Sequence, residues 1–263
     1  MRRLTAAAAV SLAVGLVAGA VWASGSAVGQ DAPAASTSPA LVSQGAGAAA
    51  PAIDEAVPAT VGADPIVTRI PDRQWRRMVE TGTWRTGCPV GRKELRRLEI
   101  GYVDFEGRSK RGVIVAHRDS IDDLAAIFTT LYDEGFPIAR MKPVERYGGD
   151  VVRSLEANNT SAFNCRKPTQ INAPVAASPH ANGRAIDINP VQNPWTDPRC
   201  DYCWVPSARY AKATDGPGVI RKGSLPVRLF KQRGWIWQNI KVPDYMHFDT
   251  GYPSRPRTST TRG

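Results

Sequence analysis

The residues best suited to chemistry lie between Ser178 and Asp187. His180 is one of three histidines in 263 residues, and Asp187 follows it by seven positions. Imidazole nitrogen and carboxylate oxygen are ordinary zinc ligands, and a catalytic zinc takes three protein ligands and keeps one position open. His180 and Asp187 would supply two. The third must be a His, Cys or carboxylate from a distant part of the chain. Ala185–Asn189 alternates apolar and polar residues, which predicts a short strand with Ile186 and Ile188 facing the core and Asp187 and Asn189 facing the other way. Gly183 suits a tight bend between the loop that carries His180 and that strand. A His and an Asp at this spacing also occur without any metal, so the two residues alone leave both readings open.

The wider pattern is more specific. Ser178, His180, Gly183, Ala185 and Asp187 form Ser-x-His-x-x-Gly-x-Ala-x-Asp, which resembles the first zinc motif of the M15 peptidases. That family comprises zinc D-Ala-D-Ala carboxypeptidases and L-alanyl-D-glutamate endopeptidases. Its second motif, an acidic residue three positions before a histidine near the C-terminus, is matched by Asp244 and His247. The resemblance implies Zn2+ held by His180, Asp187 and His247, with Asp244 as the catalytic base. Further matching pieces are Gly87–Val90, Phe136–Ile138, Asn158–Arg166, Asn189–Pro190 and Gly234–Trp237, so the likeness covers nearly the whole domain.

In the family an arginine ahead of the zinc motif engages substrate. Arg166 is the best match, with Ser161 and Asn164 of the same run as substrate-binding companions. A guanidinium offers paired donors suited to a carboxylate or a polarised carbonyl. A structural arginine, and an Asx-rich turn leading into a strand, are the plain alternatives. The fold implied is α+β: a single compact zinc-peptidase domain of the Hedgehog/DD-peptidase type, with a small antiparallel sheet flanked by helices. The activity implied is hydrolysis of peptide bonds in peptidoglycan stem peptides. The carboxypeptidase branches generally carry Glu where this chain has Asp244, and Asp-x-x-His is familiar in the endopeptidase branch. That favours an L-Ala–D-Glu type endopeptidase, with a D-alanyl-D-alanine carboxypeptidase as the alternative. A non-catalytic zinc-containing wall-binding module is the alternative of another class; the full ligand set with Asp244 favours the enzyme.

The elements that must position these residues are legible in part. Pro71 to Thr81 reads as a helix with Trp75, Met78 and Val79 on one face. Leu95 to Phe105 and Gly112 to His117 read as two strands joined by a turn at Glu106–Ser109. Cap-type and acidic residues from Asp119 open a helix whose apolar set is Ile121, Leu124, Ala125, Ile127, Phe128, Leu131 and Tyr132, stopping at Gly135. Tyr147–Asp150 reads as a turn. Asn193 to Gly223 looks like a long loop bordering the site, and Leu225 to Gln232 like a helix. Trp235 and Trp237 alternate around Ile236 as core or cleft wall. His117, at the end of an apolar strand, reads as structural, with a hydrogen-bond donor at the site edge as its alternative. Mixed strands and helices without repeated strand–helix–strand units argue α+β independently of any resemblance.

Arg2 and Arg3 ahead of the apolar run Leu4–Val21 read as an export signal over 1–23, or as an uncleaved N-terminal anchor. Residues 24–63, rich in Ala, Pro, Ser and Gly, read as a disordered linker. The domain then spans 64–256, and 257–263 form a flexible tail. The expected location is exported, extracellular or in the cell wall, with membrane contact only through the N-terminal segment. The formal charge of +10 suits peptidoglycan and anionic wall polymers. The basic residues are scattered and no nucleic-acid motif occurs, so no nucleic-acid partner is expected, and the chain is read as a monomer. No Gly-x-Ser-x-Gly or phosphate loop points to a serine hydrolase or a nucleotide enzyme. Four cysteines in an exported chain favour disulfides. Of three connectivities, Cys88–Cys165 with Cys200–Cys203 is preferred; a redox or zinc role for the Cys-x-x-Cys pair is the alternative.

Overall fold

The computed structural model describes residues 62–165, 178–196, 204–237 and 243–257. All of them fall in one compact unit, Glu55–Gly263. The export segment, nearly all of the linker, Arg166, Cys200 and Cys203 lie outside the described residues.

The chain begins with β1 (Ile66–Arg69) and α1 (Asp72–Glu80), followed by the hairpin β2 (Leu95–Val103) and β3 (Ser109–His117). The hairpin turn lies where Gly107 takes φ 75°. Next come α2 (Ile121–Asp133), β4 (Arg140–Met141), a 3-10 turn at Val144–Tyr147, α3 (Val151–Glu156) and β5 (Asn159–Thr160). The second half holds β6 (Ala185–Asp187), β7 (Trp195–Thr196), β8 (Trp204–Val205), α4 (Leu225–Gln232), β9 (Ile236–Trp237) and β10 (His247–Asp249).

The mixture of helix and small antiparallel sheets is compatible with α+β. The expectation of one small sheet needs correction. Among the described residues there are two three-stranded antiparallel sheets, β1-β2-β3 and β6-β10-β9, with a parallel pair β4-β5 and an antiparallel ribbon β7-β8. The long expected strand Ala185–Asn189 stops at Asp187. Asn189 adopts φ 45° and turns inward, where it is fully buried. Its Nδ2 donates to the Pro137 and Gly218 carbonyls, and its Oδ1 accepts from the Ala139 N–H. A short amide side chain tolerates that conformation where a branched one would not.

One apolar cluster joins the halves. Leu124, Ile127, Phe128 and Leu131 of α2 pack with Leu98, Ile100 and Ile114 of the hairpin and with Ile186, Phe230 and Phe248. Full burial of each such side chain is worth about 1.5–3 kcal/mol. Ile186 and Phe248 are the inward neighbours of Asp187 and His247, so the core itself seats the strands that carry the site. In α1 only Met78 is buried, and Val79 is 44% exposed, which corrects its expected place on the core face. The helix buries a single narrow row, with the Trp75 ring tilted at 48° against Trp84 at 4.7 Å between ring centroids.

Of the expected loop 193–223, the described residues 193–196 and 204–223 include short strand and buried, hydrogen-bonded positions. Asn193 is fully buried; its Nδ2 donates to the Ile188, Asn189 and Gly218 carbonyls, and its Oδ1 accepts from the Ile220 N–H. Residues at both ends of the described domain are held by hydrogen bonds. Ala63 is buried and accepts from the Gly101 N–H. Arg257 is tied down by its N–H to Asp119 and its guanidinium to Asp123. No helix among the described residues is long and apolar enough to cross a membrane.

Cys88 and Cys165 form a disulfide with Cα atoms 5.8 Å apart, closing 77 residues of sequence. It borders a second buried cluster containing Met78, Leu95, Val115 and Phe163. Cross-linking so long a loop restricts the unfolded chain, so Cys88→Ala/Cys165→Ala is expected to cost about 2–5 kcal/mol. Denaturant melts of the oxidised protein and the double variant measure it; equal midpoints at equal slope would remove the disulfide from the stability account.

Candidate metal centre

Asp187 and His247 face each other across β6 and β10. The neighbouring pair is hydrogen-bonded through Ile188 N–H to the Met246 carbonyl at 3.0 Å. The Asp187–His247 pair is therefore the non-hydrogen-bonded kind, in which opposed side chains stand closest. On its other edge Asp187 pairs with Ser161: each backbone N–H donates to the other's carbonyl, at 3.0 and 3.1 Å. Backbone bonds on both sides thus fix where the carboxylate leaves the sheet.

His180 arrives from a loop. Gly183, at φ 67°, closes the turn after it, with its N–H donating to the His180 carbonyl. A Cβ at that position would lie 2.7 Å from the His117 backbone nitrogen. Gly183 also accepts from the His117 N–H, which pins the loop to the end of β3.

Three ligand-type atoms meet here. His247 Nδ1 lies 3.0 Å from Asp187 Oδ1, His180 Nε2 lies 3.3 Å from the same oxygen, and the two ring nitrogens are 3.1 Å apart. The remaining ring nitrogens set the tautomers. His180 Nδ1 lies 2.7 Å from the Ala162 carbonyl oxygen, which can only accept, so the proton is on Nδ1. His247 Nε2 lies 3.0 Å from Asp249 Oδ2 and donates to it. In neutral rings both inner nitrogens then present lone pairs to each other and to a carboxylate oxygen. Such a triangle calls for a cation at its centre. Zinc bonds N and O at about 2.0–2.2 Å in a tetrahedron, which puts neighbouring ligands about 3.3 Å apart. The observed edges fit that requirement, and His180, Asp187 and His247 could hold a metal ion.

Without an ion, protons take its place. Burial pulls the His247 pKa down, but hydrogen bonds to Asp187 and Asp249 outweigh burial and push it up to about 10. Burial likewise raises the Asp187 carboxyl, and the charges and hydrogen bonds of His180 and His247 overcome it, holding that carboxyl well below the usual range. The raised His247 pKa adds stability to the metal-free fold that is fully present below the ordinary 6.5 and lost as pH rises through about 10. A metal must displace that proton.

Asp244 precedes His247 in a turn closed by the His247 N–H on the Asp244 carbonyl. It bridges Trp195 of β7, and its negative charge raises the His247 pKa, which places it beside the triangle. Asn164 donates its backbone N–H to the His180 carbonyl and lines a pocket of about 120 Å3 with Gly82, Gly149 and Asp150. Ser161 touches the site through its backbone pairing with Asp187. Arg166 lies outside the described residues.

Two groups escaped the sequence reading. Asp249, which orients His247, could have been found from its i+2 spacing on a strand. The second is the support under the His180 loop. Arg184 is buried and clamps Asp119 through Nε and through Nη2 at 2.7 Å, with His117 packed against both. His117 is thus structural, and Asp119 serves Arg184 rather than capping α2. Burial raises the Asp119 carboxyl, but bonds from His117 and Arg184 hold it well below the usual range. Its contribution is present above pH 3.8 and is lost only as pH falls below that value. Asp119→Asn leaves a buried guanidinium without its counter-charge and is expected to cost about 3–5 kcal/mol. A denaturant midpoint unchanged from wild type would show that this pair does not support the loop.

Residues 172–250 match the family model described as D-alanyl-D-alanine carboxypeptidase, of the M15 peptidases. The matched stretch contains His180, Asp187, Asp244 and His247. No curated protein and no solved structure matches the chain.

Proposed function

We propose, from the M15 family peptidase that this match supports, that the chain is a zinc-dependent hydrolase of peptidoglycan stem peptides. The observation that carries the reading is the triangle of His180 Nε2, Asp187 Oδ1 and His247 Nδ1 with Asp244 beside it. When bound, a zinc ion supplies Lewis acidity toward a peptide carbonyl and toward water. The chain's own residues do the rest. Ala162 and Asp249 hold the two imidazoles in the tautomers that turn their lone pairs inward. The Asp244 carboxylate takes the proton of the attacking water, and as the C–N bond breaks it returns that proton to the leaving amine. Arg166, with Ser161 and Asn164, is assigned to the substrate's carboxyl or carbonyl groups. The protein acts outside the cell, in the wall or tethered by its N-terminal segment.

Two bonds compete. Asp244 favours the internal L-Ala–D-Glu bond, because Asp-x-x-His resembles the endopeptidase branch whereas the carboxypeptidase branches generally carry Glu. The description of the matched family favours the terminal D-Ala–D-Ala bond. Digestion of intact sacculi and of defined pentapeptide muropeptides, read by mass, decides between them. New D-Glu amine termini are the expected product. Release of D-Ala alone would assign the carboxypeptidase, and no product with zinc-loaded protein would leave a wall-binding module.

A further inference from the structure

A second cavity, of about 470 Å3, opens between the start of α1, the β2–β3 hairpin and the 3-10 turn. That is the size of a small-ligand site. None of His180, Asp187, Asp244 and His247 lines it. Its lining carries Arg73, Arg97, Arg111, Lys142 and Arg146 against one acid, Glu145. Glu99 faces Arg97 at 2.7 Å and Arg111 at 3.9 Å from outside the lining. Among the described residues Arg73, Lys142 and Arg146 make no side-chain ion pair, so the cleft keeps an excess of positive charge. Its floor is apolar and close-packed: a Cβ on Gly112 would lie 2.6 Å from the Met141 Cβ, so glycine lets β4 cross directly over β3.

Glu145 adds an independent observation. It is 1% exposed, and its Oε1 accepts from Gln74 Nε2 at 2.8 Å. Its Oε2 is buried and has no hydrogen-bond partner among the described residues. Buried polar atoms are nearly always satisfied, by protein, water or ligand. Burial raises the Glu145 pKa against the Gln74 hydrogen bond and the charges of Arg77 and Arg146.

We propose that this cleft binds a phosphate ester bearing a free hydroxyl, the cations taking the phosphate and Glu145 the hydroxyl. Guanidinium groups bind phosphate through paired donors. Several of them around one cavity match an anion with three or four oxygens better than a two-oxygen carboxylate. The ester is either a small sugar or polyol phosphate or one unit of a phosphodiester polymer.

The test is calorimetric titration of the full chain with inorganic phosphate, glycerol 3-phosphate and poly(glycerol phosphate). Saturable binding of glycerol 3-phosphate, tighter than inorganic phosphate, is expected. Arg73→Gln/Arg146→Gln alters two exposed side chains and should weaken it about 100-fold, about tenfold for each charged hydrogen bond lost. Glu145→Leu should erase the preference for the ester over inorganic phosphate. Tighter binding of the polymer per phosphate unit assigns the polymer, and equal binding assigns the small ester. His247→Ala should leave this binding unchanged, which separates it from the peptidase reading. No saturation by either ester, or equal binding by wild type and the double arginine variant, overturns the proposal.

Discussion

His247→Ala protein is expected to bind zinc at least about 100-fold more weakly than wild type and to lose measurable hydrolysis. The variant removes one corner of a triangle whose edges are 3.0, 3.1 and 3.3 Å. Two corners leave an ion short of the three protein ligands that a catalytic site uses. His180→Ala should behave alike. Asp249→Asn is the graded control: it keeps all three inner atoms but takes the carboxylate acceptor from His247 Nε2, and loss of such an outer partner typically costs about 10- to 100-fold in affinity. Metal analysis after dialysis against a competing chelator reads all three variants. Wild-type zinc content in both alanine variants would end the assignment of these histidines as ligands. Circular dichroism keeps the result clear of unfolding, since His247 sits on β10 beside the buried Phe248.

Asp244→Asn separates chemistry from metal binding. The three inner atoms are supplied by other residues, so zinc content should stay at the wild-type level. The amide cannot take the proton of the attacking water, and loss of a general base commonly lowers the rate about 100- to 10000-fold. The measurement is turnover on a stem-peptide substrate at matched zinc occupancy. Turnover within about threefold of wild type would remove Asp244 from the proton transfer, and loss of zinc together with turnover would make it a metal ligand instead.

Much of the candidate site was visible before the fold. His180, Gly183 and Asp187 lie within eight consecutive positions, and the bend and strand between them are local events that spacing alone encodes. The hairpin β2–β3, the apolar face of α2 and the extent of α4 were legible for the same reason: turn residues and periodicity act over a few residues. The Cys88–Cys165 pair is the partition that leaves Cys200 and Cys203 to each other as a Cys-x-x-Cys.

What local pattern could not encode was decided by tertiary contacts. The register that sets His247 opposite Asp187 depends on Ile186 and Phe248 entering a core shared with α2, and a one-residue slip of β10 would turn His247 to the face away from Asp187. Asn189 leaves the strand because its amide finds partners on Pro137, Ala139 and Gly218, far away in sequence. Asp119 does not cap α2, whose N-cap is Ser120; its carboxylate is taken up by the buried guanidinium of Arg184, 65 residues away. The sequence by itself determined which atoms could bind a metal. Only the folded chain decided that they meet at 3.0–3.3 Å with their lone pairs turned inward, because tautomer and distance are set by Ala162 and Asp249, whose partnership with the histidines is made by packing and strand register.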